Sequence, residues 1–191
     1  MLRQIPNIIS VLRMFLVKPV VWALVTERFQ LGLVLFAAAG ASDALDGFLA
    51  KTFRWQTRLG GFLDPLADKL LLVAGFLSVG WLGLIPWWLV LLAILRDIVI
   101  VAGAVTYHFR VGRFDAEPTL VSKANTTMQI LLLLTVVVDR GLYPLPPALI
   151  GLGVAIVTVT ILASGVDYVV EWSRRARVNH PGNGAGHSGT P

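Results

Sequence analysis

The sequence predicts an all-helical integral membrane protein with six transmembrane helices. Of the 191 residues, 56% are apolar and 14% are charged, and mean hydropathy is +0.76. Soluble domains are about 45–50% apolar and about 25% charged, and disordered chains have low hydrophobicity, so neither class fits most of this chain. Because a membrane-spanning helix needs about 20 apolar residues, the chain has room for one membrane domain of six helices and little else.

Six apolar segments predict these helices in chain order. The first is interrupted by Arg13 and Lys18, which disfavours a cleavable signal peptide and indicates a retained first helix. The third and fourth flank a short uncharged turn with Trp81, Trp87 and Trp88, which is typical of an aromatic belt at a membrane interface. The predicted segments are 7–26, 29–50, 61–82, 86–109, 123–138 and 146–170.

The distribution of basic residues predicts the orientation of these helices. Nine basic residues lie at the helix ends on one side and two on the other, so the positive-inside rule places both termini in the cytosol. The nine are Lys51, Arg54, Arg58, Arg110, Arg113, Lys123, Arg174, Arg175 and Arg177, and the two are Arg28 and Arg140. We expect residues 1–177 to form the membrane domain and residues 178–191, with four Gly and two Pro, to form a flexible cytosolic tail. The chain is too apolar for a nucleic-acid partner despite its net charge of +5, and it has no cysteine for disulfides or thiolate metal sites.

Four acidic residues lie near the cytosolic ends of the second and third predicted helices. Asp43 and Asp46 are spaced i, i+3, and Asp64 and Asp68 are spaced i, i+4, so each pair shares one helix face. The two helices are antiparallel neighbours, so both pairs reach the same depth and can converge. Four carboxylates in a low dielectric repel one another unless cations lie between them. Those cations are either basic side chains or divalent metal ions. The basic candidates are Lys69 and the residues between the second and third predicted helices, Lys51, Arg54 and Arg58.

The ligand type and the neighbouring residues favour phosphate chemistry. An all-oxygen ligand set suits Mg²⁺, Mn²⁺ or Ca²⁺ better than zinc. Four negative charges balance two divalent ions, and a pair of such ions is the usual apparatus of phosphoryl chemistry. Gly47, Gly60 and Gly61 lie beside the acids, where a missing side chain lets a phosphate come close. The alternatives from other classes are a cation transporter, which predicts acids at the midplane and inverted repeats, and a non-catalytic membrane scaffold.

The acidic stretch carries a family resemblance. Written out, it is Asp43-x2-Asp46-Gly47-x2-Ala50-Lys51-x8-Gly60-x3-Asp64-x3-Asp68. This resembles the signature of the CDP-alcohol phosphatidyltransferases in every spacing, with Lys51 where the family usually has Arg. Four further segments extend the resemblance over the first five helices. Two of them, Arg96-Asp97 and Ser122-Lys123-x-Asn125-Thr126, look most like the cardiolipin synthases of the glycerophospholipid branch. The other two segments are Pro6-Asn7-x2-Ser10-x2-Arg13 and Leu63-Asp64-Pro65-Leu66-Ala67-Asp68-Lys69. The sixth helix adds no residue that discriminates within the family.

The resemblance implies six transmembrane helices in a homodimer, with the active site open to the cytosol of what we expect to be the bacterial inner membrane. It implies transfer of a phosphatidyl group from CDP-diacylglycerol to a glycerol-type alcohol, with release of CMP. Phosphatidylglycerol is the expected acceptor, giving cardiolipin, and glycerol 3-phosphate is the alternative. By resemblance, two Mg²⁺ or Mn²⁺ ions bind to Asp43, Asp46 and Asp64, Asp68 binds metal or acts as general base, and Gly47, Lys51 and Gly60 line the CDP site.

Three basic residues are candidates for the acceptor site. Arg96 lies about 15 Å into the fourth helix and should face a polar cavity, where it pairs with one of the four acids or binds the acceptor phosphate. Asp97 is about 100° round the helix, so we expect it to face away from Arg96 toward a neighbouring helix. Arg110 and Lys123 lie near the cytosolic mouth and either bind the acceptor phosphate or simply follow the positive-inside rule. Arg13 either caps the acidic cavity from the first helix or forms a structural ion pair.

Overall fold

Six α-helices, and no β-strand, form the part of the chain that the structure describes. The structure is a computed structural model, and it describes residues 5–53, 60–111 and 120–178. The helices are α1 (Ile5–Val25), α2 (Phe29–Phe53), α3 (Gly60–Trp81), α4 (Trp87–Val111), α5 (Leu120–Gly141) and α6 (Pro147–Val178). Each predicted apolar segment corresponds to one helix, so the all-helical prediction is confirmed.

The helices differ from the predicted segments mainly at their polar ends. α5 begins at Leu120, three residues before the predicted start, so Lys123 lies within its first turn. α6 continues to Val178, eight residues beyond the apolar stretch. This extension contains Glu, Ala and three Arg, which favour a helix even where they do not favour lipid. Residues 179–191 of the predicted tail, and Arg54, Arg58 and Arg113 of the connections, lie outside the described residues.

The three short turns lie at one end of the bundle. Glu27 has a φ of 59° where α1 turns into α2, and Gly83 has a φ of 69° between α3 and α4. Glycine adopts this left-handed conformation without strain. Between α5 and α6, the carboxylate of Asp139 accepts a hydrogen bond of 2.7 Å from the backbone N–H of Leu145. The ends of α2 and α4 and the starts of α3 and α5 therefore lie at the opposite end of the bundle.

The helices pack around one apolar core. α1 packs against α2 and α3, α6 packs against α5 and α4, and α5 also contacts α2 and α3. Small residues allow close approach between helices. A Cβ at Gly75 of α3 would lie 2.5 Å from Leu133 Cδ2 of α5, so this glycine sets the α3–α5 spacing. Fully buried apolar side chains of the core include Val20, Leu24, Val79, Leu89, Leu133 and Val157.

Large apolar side chains also cover the outer surface of the bundle. Each of the six helices has exposed examples, among them Phe15, Phe48, Trp81, Leu91, Leu131 and Val159. Soluble monomers rarely expose large contiguous apolar patches. Within the described residues, two segments are long and apolar enough to cross a membrane, namely Leu120–Gly141 and Pro147–Tyr168.

Candidate active site

A cavity of about 540 Å³ opens among α2, α3, α4, α5 and α6. It lies toward the end of the bundle where α2 ends and α3 begins, and four charged side chains line it. Its polar lining comprises Asp43, Asp68, Lys69, Arg96, Ser122, Thr126 and Tyr168, and its apolar lining includes Phe36, Leu71, Leu72, Ile100 and Ile130. The cavity therefore has an apolar body with polar groups concentrated on a few helix faces, as ligand pockets usually do.

Two of the four predicted acids meet at one side of this cavity. Asp43 comes from α2 and Asp68 from α3, and both contact the same guanidinium nitrogen of Arg13 on α1. The distance from Arg13 Nη1 to Asp43 Oδ1 is 2.7 Å, and that to Asp68 Oδ1 is 2.6 Å. Arg13 is only 1% exposed, whereas the carboxylates are 45% and 49% exposed. The buried guanidinium of Arg13 thus holds the two carboxylates, and about half of each carboxylate side chain remains exposed.

The other signature residues lie on the same two helices. Asp46 falls within α2, one turn beyond Asp43, and Asp64 falls within α3, one turn before Asp68. Residues at these spacings share a helix face with their partners. Both positions are closer to the α2–α3 connection than the described pair. The surroundings of several predicted site residues are not among those that the structure describes. These residues are Asp46, Gly47, Lys51, Gly60, Asp64 and Arg110.

The second group of charges centres on Arg96 of α4, which is buried in the wall of the same cavity. Its Nη2 donates hydrogen bonds of 2.7 Å to Ser122 Oγ on α5 and 2.5 Å to Ser164 Oγ on α6. Its Nε also donates to Ser164 Oγ, at 3.2 Å. The ring of Tyr168 lies beneath the guanidinium, with 5.9 Å from Cζ to the ring centroid. Arg96 therefore links α4, α5 and α6 and keeps its charge at the cavity wall.

The contacts of Asp97 correct one prediction. We expected Asp97 to face away from Arg96, but Arg96 Nη1 lies 3.0 Å from Asp97 Oδ1. The 100° separation applies to the Cβ atoms, and the long arginine side chain folds back far enough to bridge it. Asp97 also reaches the neighbouring helix, as expected, because Lys69 Nζ of α3 lies 2.6 Å from the same oxygen. Lys69 thus pairs with Asp97, and Arg13 is the described base that contacts the acids.

These contacts give the cavity two poles of opposite charge. At the α1–α2–α3 side, the two carboxylates of Asp43 and Asp68 share the single positive charge of Arg13. Between α3 and α4, the two positive charges of Lys69 on α3 and Arg96 on α4 share the single carboxylate of Asp97. The described charges therefore leave one negative charge in excess at the first side and one positive charge in excess at the other. We call these the acidic pole and the basic pole.

The donors at the acidic pole fit a hard divalent cation. Two carboxylate oxygens from different helices converge on one cationic nitrogen, and both are open to the cavity. Carboxylate oxygen is the donor that Mg²⁺ and Mn²⁺ prefer. Within the described part of the chain there is no cluster of three or more acidic, His or Cys side chains. Asp46 and Asp64 would extend this set, and their side chains lie outside that part.

The polar residues that α5 and α6 contribute to the cavity were only partly predicted from the sequence. Lys123 is exposed, and its neighbour Ser122 is the residue of this motif that lines the cavity and contacts Arg96. The sixth helix carries no residue that discriminates the family resemblance, yet it supplies Ser164 and Tyr168 to the surroundings of Arg96. A signal was present, because Thr160, Ser164 and Tyr168 recur every four residues and so share one helix face.

The helical fold and the two-pole cavity are accompanied by similarity to one protein family. The sequence profile of the CDP-alcohol phosphatidyltransferase family matches residues 3–166. The chain therefore belongs to the CDP-alcohol phosphatidyltransferase family. The match covers all six helices except the last part of α6.

Individual relatives fall into two groups by name. The human cardiolipin synthase (CMP-forming) is 33% identical over 144 residues, which cover 67% of this chain and 48% of the relative. A putative cardiolipin synthase of Mycobacterium tuberculosis is 32% identical over 123 residues, covering 64% and 58%. A probable phosphatidylglycerophosphate synthase of the same species is 29% identical over 174 residues, covering 87% and 80%. The chain thus spans about half the length of the human relative and more of the bacterial ones.

Proposed function

We propose that this protein is a metal-dependent phosphatidyltransferase. It transfers the phosphatidyl group of CDP-diacylglycerol to a glycerol-type alcohol and releases CMP. The observation that carries the proposal is the presence of an acidic pole and a basic pole in the lining of one cavity, in a chain of the CDP-alcohol phosphatidyltransferase family. Such a cavity suits two phosphate-bearing substrates, because one binds through cations at the acids and the other binds directly to the bases.

The acidic pole is proposed to bind the donor. Asp43, Asp46 and Asp64 hold divalent ions, either Mg²⁺ or Mn²⁺ and two in number, with Asp68 as a further ligand or as the base. When bound, these ions neutralise the diphosphate and the charge that develops on the leaving CMP oxygen. In the same proposal Gly47 and Gly60 leave room for the CDP group, and Lys51 contacts the diphosphate with its ammonium.

Asp68 is proposed to act on the acceptor as the general base. Its carboxylate is half-exposed to the cavity, and Arg13 holds it through Oδ1. The acceptor hydroxyl oxygen attacks the phosphorus that bears the diacylglycerol, and its proton passes to Asp68. The bond between that phosphorus and the CMP oxygen breaks, and CMP leaves with the electron pair. A carboxylate held by a buried arginine is oriented before the acceptor arrives, which shortens the path of the proton.

The basic pole is proposed to hold the phosphate of the acceptor. Arg96 and Lys69 carry one positive charge beyond what Asp97 neutralises. Arg110 and Lys123 are proposed to assist them nearer the cytosolic ends of α4 and α5. The acceptor that we propose is phosphatidylglycerol, giving cardiolipin. The alternative is glycerol 3-phosphate, giving phosphatidylglycerophosphate. The names of the relatives support both, because cardiolipin synthases and a phosphatidylglycerophosphate synthase are among them.

The protein is proposed to lie in the bacterial inner membrane as a homodimer, with all six helices spanning the bilayer. The exposed apolar side chains on every helix support the spanning of the bilayer. The excess of basic residues in the α2–α3 and α4–α5 connections and after α6 supports a cytosolic active site and cytosolic termini. In this placement the acyl chains of the substrates stay in lipid while their head groups reach the cavity.

The test is product analysis by mass spectrometry from purified protein in proteoliposomes. The protein receives CDP-diacylglycerol, Mg²⁺ and an equal supply of phosphatidylglycerol and glycerol 3-phosphate. We expect CMP and cardiolipin, and weaker turnover in Lys123→Ala than in the control Arg140→Ala, which removes an exposed cation from the other end of α5. Phosphatidylglycerophosphate alone would favour the alternative acceptor. Cation flux with no lipid product would favour a transporter instead.

A further inference from the structure

A second cavity lies beside the first, between α4 and α6. It has a volume of about 430 Å³, and its wall is almost entirely apolar. Apolar residues of α4 and α6 form most of the wall, and the polar residues in it are Arg96, which lies between Leu92 and Ile100 along α4, and Tyr168. Leu95, Val99, Leu162 and Val166 are each more than half exposed, so this crevice opens to the outer surface of the bundle.

The crevice and the catalytic cavity meet at shared residues. Arg96, Ile100 and Tyr168 line both spaces. A molecule in the crevice therefore meets an apolar wall that is open to the surface and a single guanidinium within that wall. This arrangement suits an amphipathic anion with a hydrocarbon chain and a phosphodiester head group.

We propose that this α4–α6 crevice holds an acyl chain of the acceptor, phosphatidylglycerol, while Arg96 binds its phosphodiester. The inference rests on the proposed function and extends it, because it gives the acceptor lipid its own lateral entrance. Glycerol 3-phosphate has no hydrocarbon chain and gains nothing from an apolar crevice. A monoanionic diester also matches the basic pole, whose described charges leave one positive charge in excess.

The position of the crevice assigns it to the acceptor rather than to the donor. The acids proposed to hold the donor diphosphate lie on α2 and α3, whereas the crevice is formed by α4 and α6. In phosphoryl transfer the attacking and leaving oxygens lie roughly in line with the phosphorus between them. An acceptor that enters past Arg96 comes from the α4–α6 side of the cavity, whereas the acids lie on α2 and α3, and this separation is compatible with in-line attack.

Gly165 allows the crevice to be filled without disturbing the helix. A Cβ built at Gly165 has no atom within 4 Å among the described residues, and the same holds at Gly151 of the same helix. Gly165→Leu projects a side chain into the crevice, and Gly151→Leu adds the same side chain elsewhere on α6. Leucine has a higher helix propensity than glycine, so both variants should retain α6.

The experiment measures kcat/KM for three acceptors in mixed micelles with CDP-diacylglycerol and Mg²⁺. The acceptors are dioleoyl phosphatidylglycerol, dihexanoyl phosphatidylglycerol and glycerol 3-phosphate. For Gly165→Leu we expect kcat/KM with the dioleoyl lipid to fall by about 10-fold relative to the dihexanoyl lipid, with the KM for CDP-diacylglycerol unchanged. Gly151→Leu should behave as the unmodified protein does. Val166→Trp narrows the mouth of the crevice and serves as the second variant.

The outcomes separate this inference from the proposed function. Equal losses with both lipids, or no loss in either crevice variant, would overturn the inference. A raised KM for CDP-diacylglycerol would give the crevice to the donor instead. If the unmodified protein used only glycerol 3-phosphate, the inference would be wrong while phosphatidyl transfer stood. Absence of CMP release with every acceptor would refute the proposed function itself.

Discussion

Replacing Arg13 tests whether a fixed arginine opposes metal binding at the acidic pole. Arg13 Nη1 contacts Asp43 Oδ1 at 2.7 Å and Asp68 Oδ1 at 2.6 Å, which are oxygens that a divalent ion would use. A bound ion must therefore displace or weaken these contacts and must tolerate the positive charge beside it. Arg13→Gln removes the charge and keeps a side chain of similar shape. We expect it to lower the concentration of Mg²⁺ needed for half-saturation.

The size of this effect follows from the exposure of the acids. A hydrogen bond to a charged group contributes about 1.5–3 kcal/mol when buried, and exposed ion pairs contribute about 0.2–1 kcal/mol. The two carboxylates are about half exposed, so about 1 kcal/mol for each contact is a reasonable value. Losing both contacts then favours metal binding by about 2 kcal/mol, or about 30-fold in affinity. The maximal rate should fall at the same time, because Asp68 loses the group that orients it.

Two assays check this prediction independently. Electron paramagnetic resonance of Mn²⁺ measures binding without turnover, and a Mg²⁺ titration of CMP release measures the metal requirement and the maximal rate. Lys18→Gln is the matched control, because Lys18 is an exposed cation on the same helix. Thermal unfolding in detergent shows whether each variant is folded. An unchanged or weaker metal affinity in folded Arg13→Gln would refute the reasoning.

Three further predictions concern the signature residues and one helix contact. Asp46→Asn and Asp64→Asn should each lower kcat by at least about 10²-fold, and EDTA should abolish activity, because charge stabilisation in the transition state is lost; full activity in EDTA would contradict this. Lys51→Ala should raise the KM for CDP-diacylglycerol and Lys51→Arg should not, since arginine retains the charge and adds a bidentate fork; equal kinetics in Lys51→Ala and the unmodified protein would leave Lys51 without a substrate role. Gly141→Ala should destabilise the fold by about 1–3 kcal/mol in chemical unfolding, because the added Cβ would lie 2.9 Å from Phe29 Cβ and 3.0 Å from its backbone carbon. Gly151→Ala, which meets open space, should be neutral or stabilising, and equal stability of the two variants would count against the α2–α5 contact.

The positions of the helices and the proximity of Asp43 and Asp68 could both be predicted from the sequence, because both depend on residues that are close in the chain. Helix positions follow from local runs of apolar residues, and the convergence of Asp43 and Asp68 follows from helix spacing and a short α2–α3 connection. Each depends on neighbours in the chain. The end of α6 was missed because hydropathy reports a preference for lipid, whereas Glu, Ala and Arg continue a helix regardless of lipid.

Partners from distant segments were not predictable in the same way. The role of Arg13 was left open because its contact with Asp68 joins residues 55 positions apart. The Arg96–Asp97 contact was excluded by an argument on Cβ directions, and a flexible arginine is not bound by that limit. The crevice between α4 and α6 could not be predicted either, because the sequence of an apolar helix face does not indicate whether another helix covers that face.

The polar face of α5 bears on how the chain enters a membrane. Ser122, Asn125 and Gln129 are all buried along one side of this helix, and Thr160 of α6 donates a hydrogen bond of 3.0 Å to Asn125 Oδ1. If α5 entered the bilayer alone, the Asn125 carbonyl would meet hydrocarbon without the hydrogen bond that Thr160 of α6 donates, which is costly for an amide. The tight turn at Asp139 brings α6 alongside as soon as it is synthesised. We therefore expect α5 to remain at the translocation machinery until α6 emerges, and the two helices to partition into lipid together as a hairpin.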